Sequence, residues 1–304
     1  MYTFINNEES NKKKVIFIMG ATGTGKSRLF VDLATHFRGE IINSDKMQVY
    51  KGLEIVTNKI THTEKQGVRH YLLGEIEPDS DFTPEDFCLQ AIVYIEKILK
   101  TQRVPIIVGG SNSYIEQLVE DPVFMFNYQY DCCFIWIDVE QSVLNCRVDM
   151  RVDQMVKAGL VDEVRQIFIA DADADYTKGI RRSIGVPEMD KYLREETNLD
   201  GDDESKRMIL QASISSIKRN TRMLICNQLD KIQRLISEKM WSLHHIIATN
   251  IFKEDREENL DEAWTNTVLQ PCQDIVKRFL KNDHHNCHDP NLQVVMTPMF
   301  PTNR

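Results

Sequence analysis

A glycine-rich turn near the start of the chain has the residues of a phosphate site. The segment GATGTGKS, residues 20–27, fits the pattern G-x-x-x-x-G-K-[ST]. An apolar run that begins at Val15 precedes it and a helix-like run to His36 follows it, which is the strand–turn–helix context of this motif. The residues predicted to hold phosphate are Gly20, Ala21, Thr22, Gly23, Thr24, Gly25, Lys26 and Ser27.

Each residue type in this turn has a chemical purpose. Glycines let backbone N–H groups approach a polyphosphate, and the following helix adds the positive end of its dipole. Lys26 supplies a positive charge, and Ser27 supplies a hydroxyl that can bind Mg²⁺. The alternative is a glycine-rich turn with a chance lysine, and the complete match argues against it.

Polar residues follow two further predicted strands. Asp45 comes after the apolar pair 41–42, and the segment GGSN, residues 109–112, follows the apolar run 104–108. Because the carboxyl ends of parallel strands meet at one edge of a sheet, we expect both groups to lie beside the phosphate loop. Asp45 could instead cap a helix that begins at Lys46, and its position alone does not decide between the two roles.

An arginine interrupts the apolar face of a predicted helix. Leu144, Val148 and Met155 lie along one stripe, and Arg151 falls on the same stripe. A guanidinium that faces a sheet needs an anion. A phosphate suits its fork of donors, and a core carboxylate such as Asp138 is the alternative.

The alternation of apolar strands with helical segments predicts an α/β fold. We expect a P-loop NTPase-like parallel sheet flanked by helices, with a C-terminal helical portion. Further strands are predicted at residues 70–76, 130–139 and 241–248. The predicted organisation is a flexible N-terminus (1–14), a P-loop α/β domain (15–280) with its helical portion at about 176–240, and a disordered tail (281–304).

Composition narrows the class of protein. No apolar run among the 304 residues approaches the roughly 18 residues of a membrane span, so we expect no membrane partner. The polar opening contains Glu8 and Glu9, which argues against a transit peptide and favours the cytosol. Seven cysteines without framework spacing indicate reduced thiols. The formal charge of −9 argues against a nucleic-acid partner.

The tail contains a group of metal-binding residue types. These are His284, His285, Cys287 and His288. The group has no paired C-x₂-C element and no predicted strand or helix around it, so we do not expect a metal site there.

Five blocks of the sequence, in this order, resemble the isopentenyltransferase family. They extend from about Val15 to Leu235. The blocks are residues 20–27 (GATGTGKS), 42–50 (INSDKMQVY), 109–115 (GGSNSYI), 151–160 (RVDQMVKAGL) and 180–185 (IRRSIG). The resemblance implies transfer of a dimethylallyl group from dimethylallyl diphosphate to the exocyclic amine of an adenine.

The family has a branch that modifies tRNA and a branch that modifies free adenine nucleotides. The tRNA branch inserts a helical domain that helps to grip the anticodon stem, whereas here only residues 119–129 separate a helix from the next strand. Eukaryotic tRNA members also tend to carry a C-terminal zinc finger, which the tail does not match. The blocks at 43–48 and 130–138 are most similar to plant adenylate isopentenyltransferases, which start cytokinin synthesis.

The resemblance implies roles for particular residues. Lys26, the loop amides, Mg²⁺ on Ser27 and Arg151 would stabilise the departing diphosphate, with Thr22 and Thr24 orienting it. Asp45 would remove a proton from the adenine amine. The residues implied on the acceptor side are Ser111 and Asn112 for the adenine edge and Lys178, Arg181, Arg182 and Lys231 for its phosphates.

Other functions compete with this interpretation. The nearest is a tRNA dimethylallyltransferase, followed by a P-loop small-molecule kinase that uses ATP. A nucleotide-binding regulatory module without catalysis is a third. We expect a monomer that binds dimethylallyl diphosphate and AMP, ADP or ATP. A plastid location would need a transit segment outside this chain.

Overall fold

The sheet at the centre of the fold is entirely parallel. A computed structural model describes residues 12–170, 174–196, 202–253 and 260–281. The strands are β1 (Lys13–Met19), β2 (Gly39–Asn43), β3 (His70–Tyr71), β4 (Val104–Val108), β5 (Tyr130–Asp138) and β6 (His244–Ile247). They pair in the order β3-β2-β4-β1-β5-β6, which places all the carboxyl ends at one edge.

Helices connect the strands and cover the sheet. They are α1 (Lys26–Phe37), α2 (Pro84–Lys100), α3 (Asn112–Glu120), α4 (Phe126–Gln129), α5 (Gln141–Lys157), α6 (Leu160–Ile167), α7 (Val186–Glu196), α8 (Asp203–Ser237), α9 (Leu260–Trp264) and α10 (Gln270–Lys281). Short 3₁₀ turns span Gly179–Arg182 and Thr249–Phe252, and a π turn, Thr265–Leu269, joins α9 to α10.

The start of α2 shows how the sequence specifies these boundaries. Thr83 caps the helix by accepting a hydrogen bond from the backbone N–H of Asp86 at 3.1 Å. The carboxylate of Asp86 accepts one in return from the Thr83 backbone at 2.9 Å, which completes a capping box. Pro84 occupies the first helical position, where its missing N–H and fixed φ are favourable.

Two apolar clusters hold the layers together, one on each face of the sheet. Phe17 of β1 belongs to the cluster that includes α2 and α3, whereas Ile16 and Ile18 belong to the cluster that includes α1 and α10. All three side chains are fully buried. A strand buried on both faces needs a continuous apolar sequence, which is why β1 contains no polar alternation.

The structure confirms the predicted α/β class and corrects several boundaries. Only His70 and Tyr71 of the predicted strand 70–76 pair with β2, and Ile76 makes an isolated bridge to Tyr50. The predicted last strand is reduced to β6. β1 begins at Lys13, two residues before the predicted start of the domain at residue 15.

Helices occupy most of the described part of the predicted helical portion 176–240, and α8 alone has 35 residues. The predicted tail and its histidines and cysteine lie outside the described residues, except that Lys281 ends α10. Within the described ranges, no helix is long and apolar enough to cross a membrane. No group of three or more metal-binding side chains is found in the same ranges.

Candidate active site

The phosphate loop connects β1 to α1 and ends at a glycine with a left-handed backbone. Gly25 has φ 87° and is the N-cap of α1. A β-carbon at Gly25 would lie 2.9 Å from ring carbons of Trp264, so both the backbone and the packing require glycine. Trp264 is buried in α9, so the C-terminal helices support the back of the loop.

Lys26 is the first residue of α1 and its ammonium group points back into the loop. Its Nζ donates hydrogen bonds to the carbonyls of Gly20 at 2.9 Å and Ala21 at 2.6 Å. Removal of this group from water lowers its pKa from 10.5 to about 7, and the charge of Arg151 adds to this effect while Asp45 opposes it. Lys26, Arg151 and Asp45 therefore act on one another electrostatically.

Arg151 reaches the phosphate loop from α5. Its Nη2 donates to the hydroxyl of Thr22 at 2.8 Å, and its Nε is buried with no partner among the described residues. Asp138, the carboxylate named as the alternative partner, instead pairs with His245 at 2.9 Å, and Arg151 forms no ion pair with any described carboxylate. Burial lowers the pKa of Arg151, and the charge of Arg147 lowers it further. A buried guanidinium of this kind is suited to bind an anion.

Arg147 was missed by the sequence analysis. It lies one helical turn before Arg151, so both side chains project from the same face of α5. Its Nε donates to the carbonyl of Gly23 at 3.2 Å, and its guanidinium lies 3.8 Å from the ring centre of Phe252. The i,i+4 spacing from Arg151 was the available signal, because two arginines at this spacing repel unless an anion lies between them.

Asp45 follows β2 and lines the same cavity as the phosphate loop. Its Oδ1 accepts hydrogen bonds from the backbone N–H groups of Met47 at 2.9 Å and Gln48 at 3.3 Å. Its Oδ2 makes no hydrogen bond with any described residue. Residues 46–49 form a turn, so the predicted alternative of a helix that begins at Lys46 is wrong. Asp45 holds this turn through Oδ1, and a role as a base is compatible with that contact because it would use the other oxygen.

The segment after β4 contributes differently from what the sequence predicted. The Ser111 hydroxyl lines the cavity and accepts from the backbone N–H of Lys46 at 3.0 Å. Asn112 is buried and lies outside the cavity lining, and its Nδ2 donates to the backbone carbonyl of Gln228 at 3.2 Å. Thr24 is also buried, and its hydroxyl donates to the Ala21 carbonyl at 2.9 Å. In this structure Asn112 and Thr24 stabilise the backbone around the cavity.

The structure separates the four cations predicted to meet the acceptor's phosphates. Only Arg182 lines the cavity, and its Nη2 donates to the hydroxyl of Tyr50 at 3.1 Å. Arg181 pairs with Asp79 and Lys231 pairs with Glu116, and Lys178 has a side chain that is 76% exposed. Those three lie outside the cavity lining.

Lys46 joins this acceptor side and was also missed by the sequence analysis. It lines the cavity, and its Nζ lies 5.5 Å from the ring centre of Tyr114. Partial burial lowers its pKa, and the charges of Arg182 and Lys231 lower it further against the opposing charge of Asp45. Lys46 and Arg182 therefore bring positive charge to the same cavity as Asp45.

The cavity has a volume of about 600 Å³ and combines a charged wall with an apolar one. Lys26, Arg147 and Arg151 bring positive charge to its phosphate-loop side. The apolar lining includes Met47, Val56, Ile60, Leu73, Val152, Met155, Ile184, Ile217 and Leu224. Such a cavity can hold a diphosphate, an apolar chain and a flat ring together.

Known proteins resemble this chain in sequence and in fold. The family model described as IPP transferase matches residues 48–127 and 123–234. The chain is 53% identical to adenylate isopentenyltransferase 5, chloroplastic, of Arabidopsis thaliana, over 90% of this chain and 83% of the relative. It is 47% identical to adenylate isopentenyltransferase 7, mitochondrial, of the same plant, over 94% and 86% of the two chains.

A solved structure has the same fold. It is a eukaryotic dimethylallyltransferase acting on tRNA, with a TM-score of 0.73 and 24% identity, over 89% of this chain and 80% of that chain.

Proposed function

This chain belongs to the IPP transferase family, and from that premise we propose the reaction that its cavity performs. It transfers a dimethylallyl group from dimethylallyl diphosphate to the N6 amine of adenine in a free nucleotide, as an adenylate isopentenyltransferase of cytokinin synthesis. The observation that carries this proposal is the position of Asp45 in one cavity with Lys26 and Arg151. Asp45, the proposed base, therefore lies in the same cavity as the cations that would hold the departing diphosphate.

The residues on the phosphate-loop side of the cavity stabilise the leaving group. The bond between the allylic carbon and the diphosphate oxygen breaks, and negative charge develops on the diphosphate. Lys26, Arg151 and the loop amides stabilise this charge in a site that is partly shielded from water. Lys26 and Arg151 now donate to neutral oxygens of the loop, so a bound diphosphate would replace weak acceptors with charged ones.

Asp45 activates the nucleophile, which is the adenine amine. An adenine amine is a weak nucleophile because its lone pair is delocalised into the ring, so its proton must leave as it attacks the allylic carbon. The new carbon–nitrogen bond forms as the carbon–oxygen bond breaks, and the proton goes to Oδ2 of Asp45. Ser111 and Arg182 orient the acceptor, by its base and its phosphates respectively.

Mg²⁺ fits the residues of the loop. The Ser27 hydroxyl lines the cavity and makes no hydrogen bond with any described residue. A hydroxyl and diphosphate oxygens are ligands that Mg²⁺ prefers. When bound, the ion would neutralise part of the diphosphate charge.

Two further properties, the location and the oligomeric state, are proposals. The names of two relatives place those proteins in the chloroplast and the mitochondrion, which supports a location in one of these organelles over the cytosolic one that the sequence favoured. A fluorescent fusion of the full-length gene product tests it. We propose a monomer, which light scattering on the purified chain tests.

One experiment separates the candidate functions. The protein is mixed with dimethylallyl diphosphate, Mg²⁺ and AMP, ADP or ATP, and the products are analysed by mass spectrometry. We expect a nucleotide heavier by one dimethylallyl group, together with diphosphate. ADP formed from ATP would indicate a kinase instead, and binding without any product would indicate a regulatory module. Prenylation of an anticodon stem-loop RNA with no product from mononucleotides would contradict the proposal.

A further inference from the structure

A polar residue interrupts the buried stripe of the longest helix. Ile225, Ile232 and Leu235 of α8 are fully buried, and Gln228 lies on the same face with only 9% of its surface exposed. An apolar residue would be sufficient for packing at this position. A buried amide is unfavourable unless its polar atoms are hydrogen-bonded, so its partners indicate its purpose.

The Gln228 side chain connects two loops that belong to different strands. Its Oε1 accepts from the backbone N–H of Thr22 in the phosphate loop at 2.9 Å. Its Nε2 donates to the backbone carbonyl of Gly110, after β4, at 3.0 Å. The backbone carbonyl of Gln228 accepts from Asn112 at 3.2 Å, which holds α3 to α8 at the same place.

The two loops belong to the two ends of the proposed reaction. The hydroxyl of Thr22 accepts from Arg151, on the side that holds the diphosphate. Gly110 precedes Ser111, whose hydroxyl accepts from the N–H that follows Asp45, on the side of the acceptor. One amide therefore fixes the separation between the donor side and the acceptor side.

We propose that Gln228 is a positioning residue for the transfer, tying Thr22 to Gly110 so that the allylic carbon and the adenine amine meet at reacting distance. This inference rests on the proposed function. Two reactants must approach to about 3–3.5 Å, and a displacement of about 1 Å lowers the rate by about 10²-fold. Gln228 also lines the cavity, and its two hydrogen bonds assign it a role that acts through the loops.

The glycine at position 110 offers an independent way to disturb the same contact. A β-carbon at Gly110 would overlap Nε2 of Gln228, whereas its next neighbour outside that side chain, Oδ2 of Asp45, would be at an ordinary 3.7 Å. Gly110 does not have a left-handed backbone, so alanine is sterically acceptable there apart from Gln228. Gly109 differs, because a β-carbon there would lie 2.6 Å from the backbone of Ser44.

The first test compares Gln228→Ala with Gln233→Ala, an exposed glutamine on the same helix. We expect kcat of Gln228→Ala to fall about 10- to 100-fold, with a smaller rise in the KM for dimethylallyl diphosphate and little change in the KM for the nucleotide, because the loop that holds the diphosphate is displaced while its cations remain. Gln233→Ala should behave as the wild type. If the amide is purely structural, Gln228→Ala will lower the Tm and leave the kcat of the folded protein unchanged. That result would overturn the proposal. If Gln228→Ala does not fold, Gln228→Met keeps the volume and removes both hydrogen bonds, with the same expected fall.

The second test is a double-mutant cycle. Gly110→Ala should lower kcat in the wild-type background and have no further effect in Gln228→Ala, because the overlapping side chain is gone. Gly109→Ala should remain harmful in both backgrounds, since it meets backbone. An equal effect of Gly110→Ala in both backgrounds would contradict the role of Gln228.

The same cycle can be measured without turnover. Gln228→Ala should weaken the binding of inorganic diphosphate in calorimetric titrations, because Thr22 loses its anchor, and Gly110→Ala should add nothing further. If the wild type forms no prenylated nucleotide, the proposed function fails, and the titration still decides whether Gln228 fixes the loop. Unchanged diphosphate affinity in Gln228→Ala would then reject the inference.

Discussion

Asp45 divides its two carboxylate oxygens between a turn and the cavity. Oδ1 holds the backbone N–H groups of Met47 and Gln48, and Oδ2 remains for the adenine amine. Asp45→Asn keeps an oxygen for the turn and removes the base. We expect turnover to fall by about 10²–10⁴ with inorganic diphosphate binding nearly unchanged.

Rate measurements and calorimetric titration on the same Asp45→Asn preparation check this prediction. The Tm is the control, because an intact turn should leave it close to that of the wild type. Near-normal turnover of the variant would leave Asp45 as a cap alone.

Among the described residues, the guanidinium of Arg151 donates a side-chain hydrogen bond only to the neutral hydroxyl of Thr22. Arg151→Lys keeps the charge and loses the fork of donors, so we expect weaker diphosphate binding and slower turnover at nearly constant Tm. The matched control is Arg222→Lys, because Arg222 pairs with Asp149 at 2.8 Å outside the cavity lining. A lower Tm of Arg151→Lys with unchanged kinetics would show a structural role instead.

Lys26 should make diphosphate binding depend on pH. An amine with a pKa of about 7 in the free enzyme loses its charge as the pH rises through 7, so the protonated, anion-binding form becomes scarcer above that pH. We expect the affinity for inorganic diphosphate to fall above pH 7, by at most about tenfold per pH unit.

Titrations of the wild type and Lys26→Arg between pH 6.5 and 8.5 isolate this effect, since a guanidinium stays charged throughout and the ionisation of the ligand is common to both. Parallel profiles for the two proteins would contradict the lowered pKa.

Among the elements, the short 3₁₀ turn Gly179–Arg182 directs one of its two arginines into the cavity and the other away from it. Arg181 turns toward Asp79 and the carbonyl of Ile167, whereas Arg182 enters the cavity beside Tyr50. Neighbours in a tight turn project in different directions, so the sequence could not separate them.

Arg182→Met should therefore raise the KM for ADP and ATP more than the KM for AMP. A charge-assisted hydrogen bond to a phosphate contributes roughly 1.5–3 kcal/mol, or about 10- to 150-fold in affinity, and the variant cannot form it. Lys178→Met is the matched control, because its exposed side chain lies outside the cavity lining. Steady-state kinetics with the three nucleotides check both variants. An equal rise in KM for all three would contradict a contact between Arg182 and the additional phosphates of ADP and ATP.

At the scale of the whole molecule, the formal charge of −9 opposes binding to RNA. Proteins that bind nucleic acid neutralise phosphates with clustered cations. In this chain Lys26, Lys46, Arg147, Arg151 and Arg182 line one cavity. We expect an excess of anticodon stem-loop RNA at physiological salt neither to be prenylated nor to slow prenylation of ADP. Competition assays followed by mass spectrometry check this. Inhibition that weakens as salt is added would show an RNA-binding surface.

The sequence by itself determined the class of fold and the main chemistry. The phosphate loop is a local motif, so residues 20–27 specify their own strand–turn–helix context. The rule that parallel strands end at one edge was enough to bring Asp45 and Ser111 to the same cavity. These inferences succeeded because each depends on backbone direction, which short stretches of sequence encode.

The tertiary structure alone decided which side chains enter the cavity. Gln228 contacts Thr22 across 206 residues of sequence, and its place on α8 resembled that of any buried helix residue. The carboxylate alternative for Arg151 failed because His245, on another strand, already occupies Asp138. Such contacts depend on how separate elements pack, and packing is fixed by the whole core rather than by local sequence.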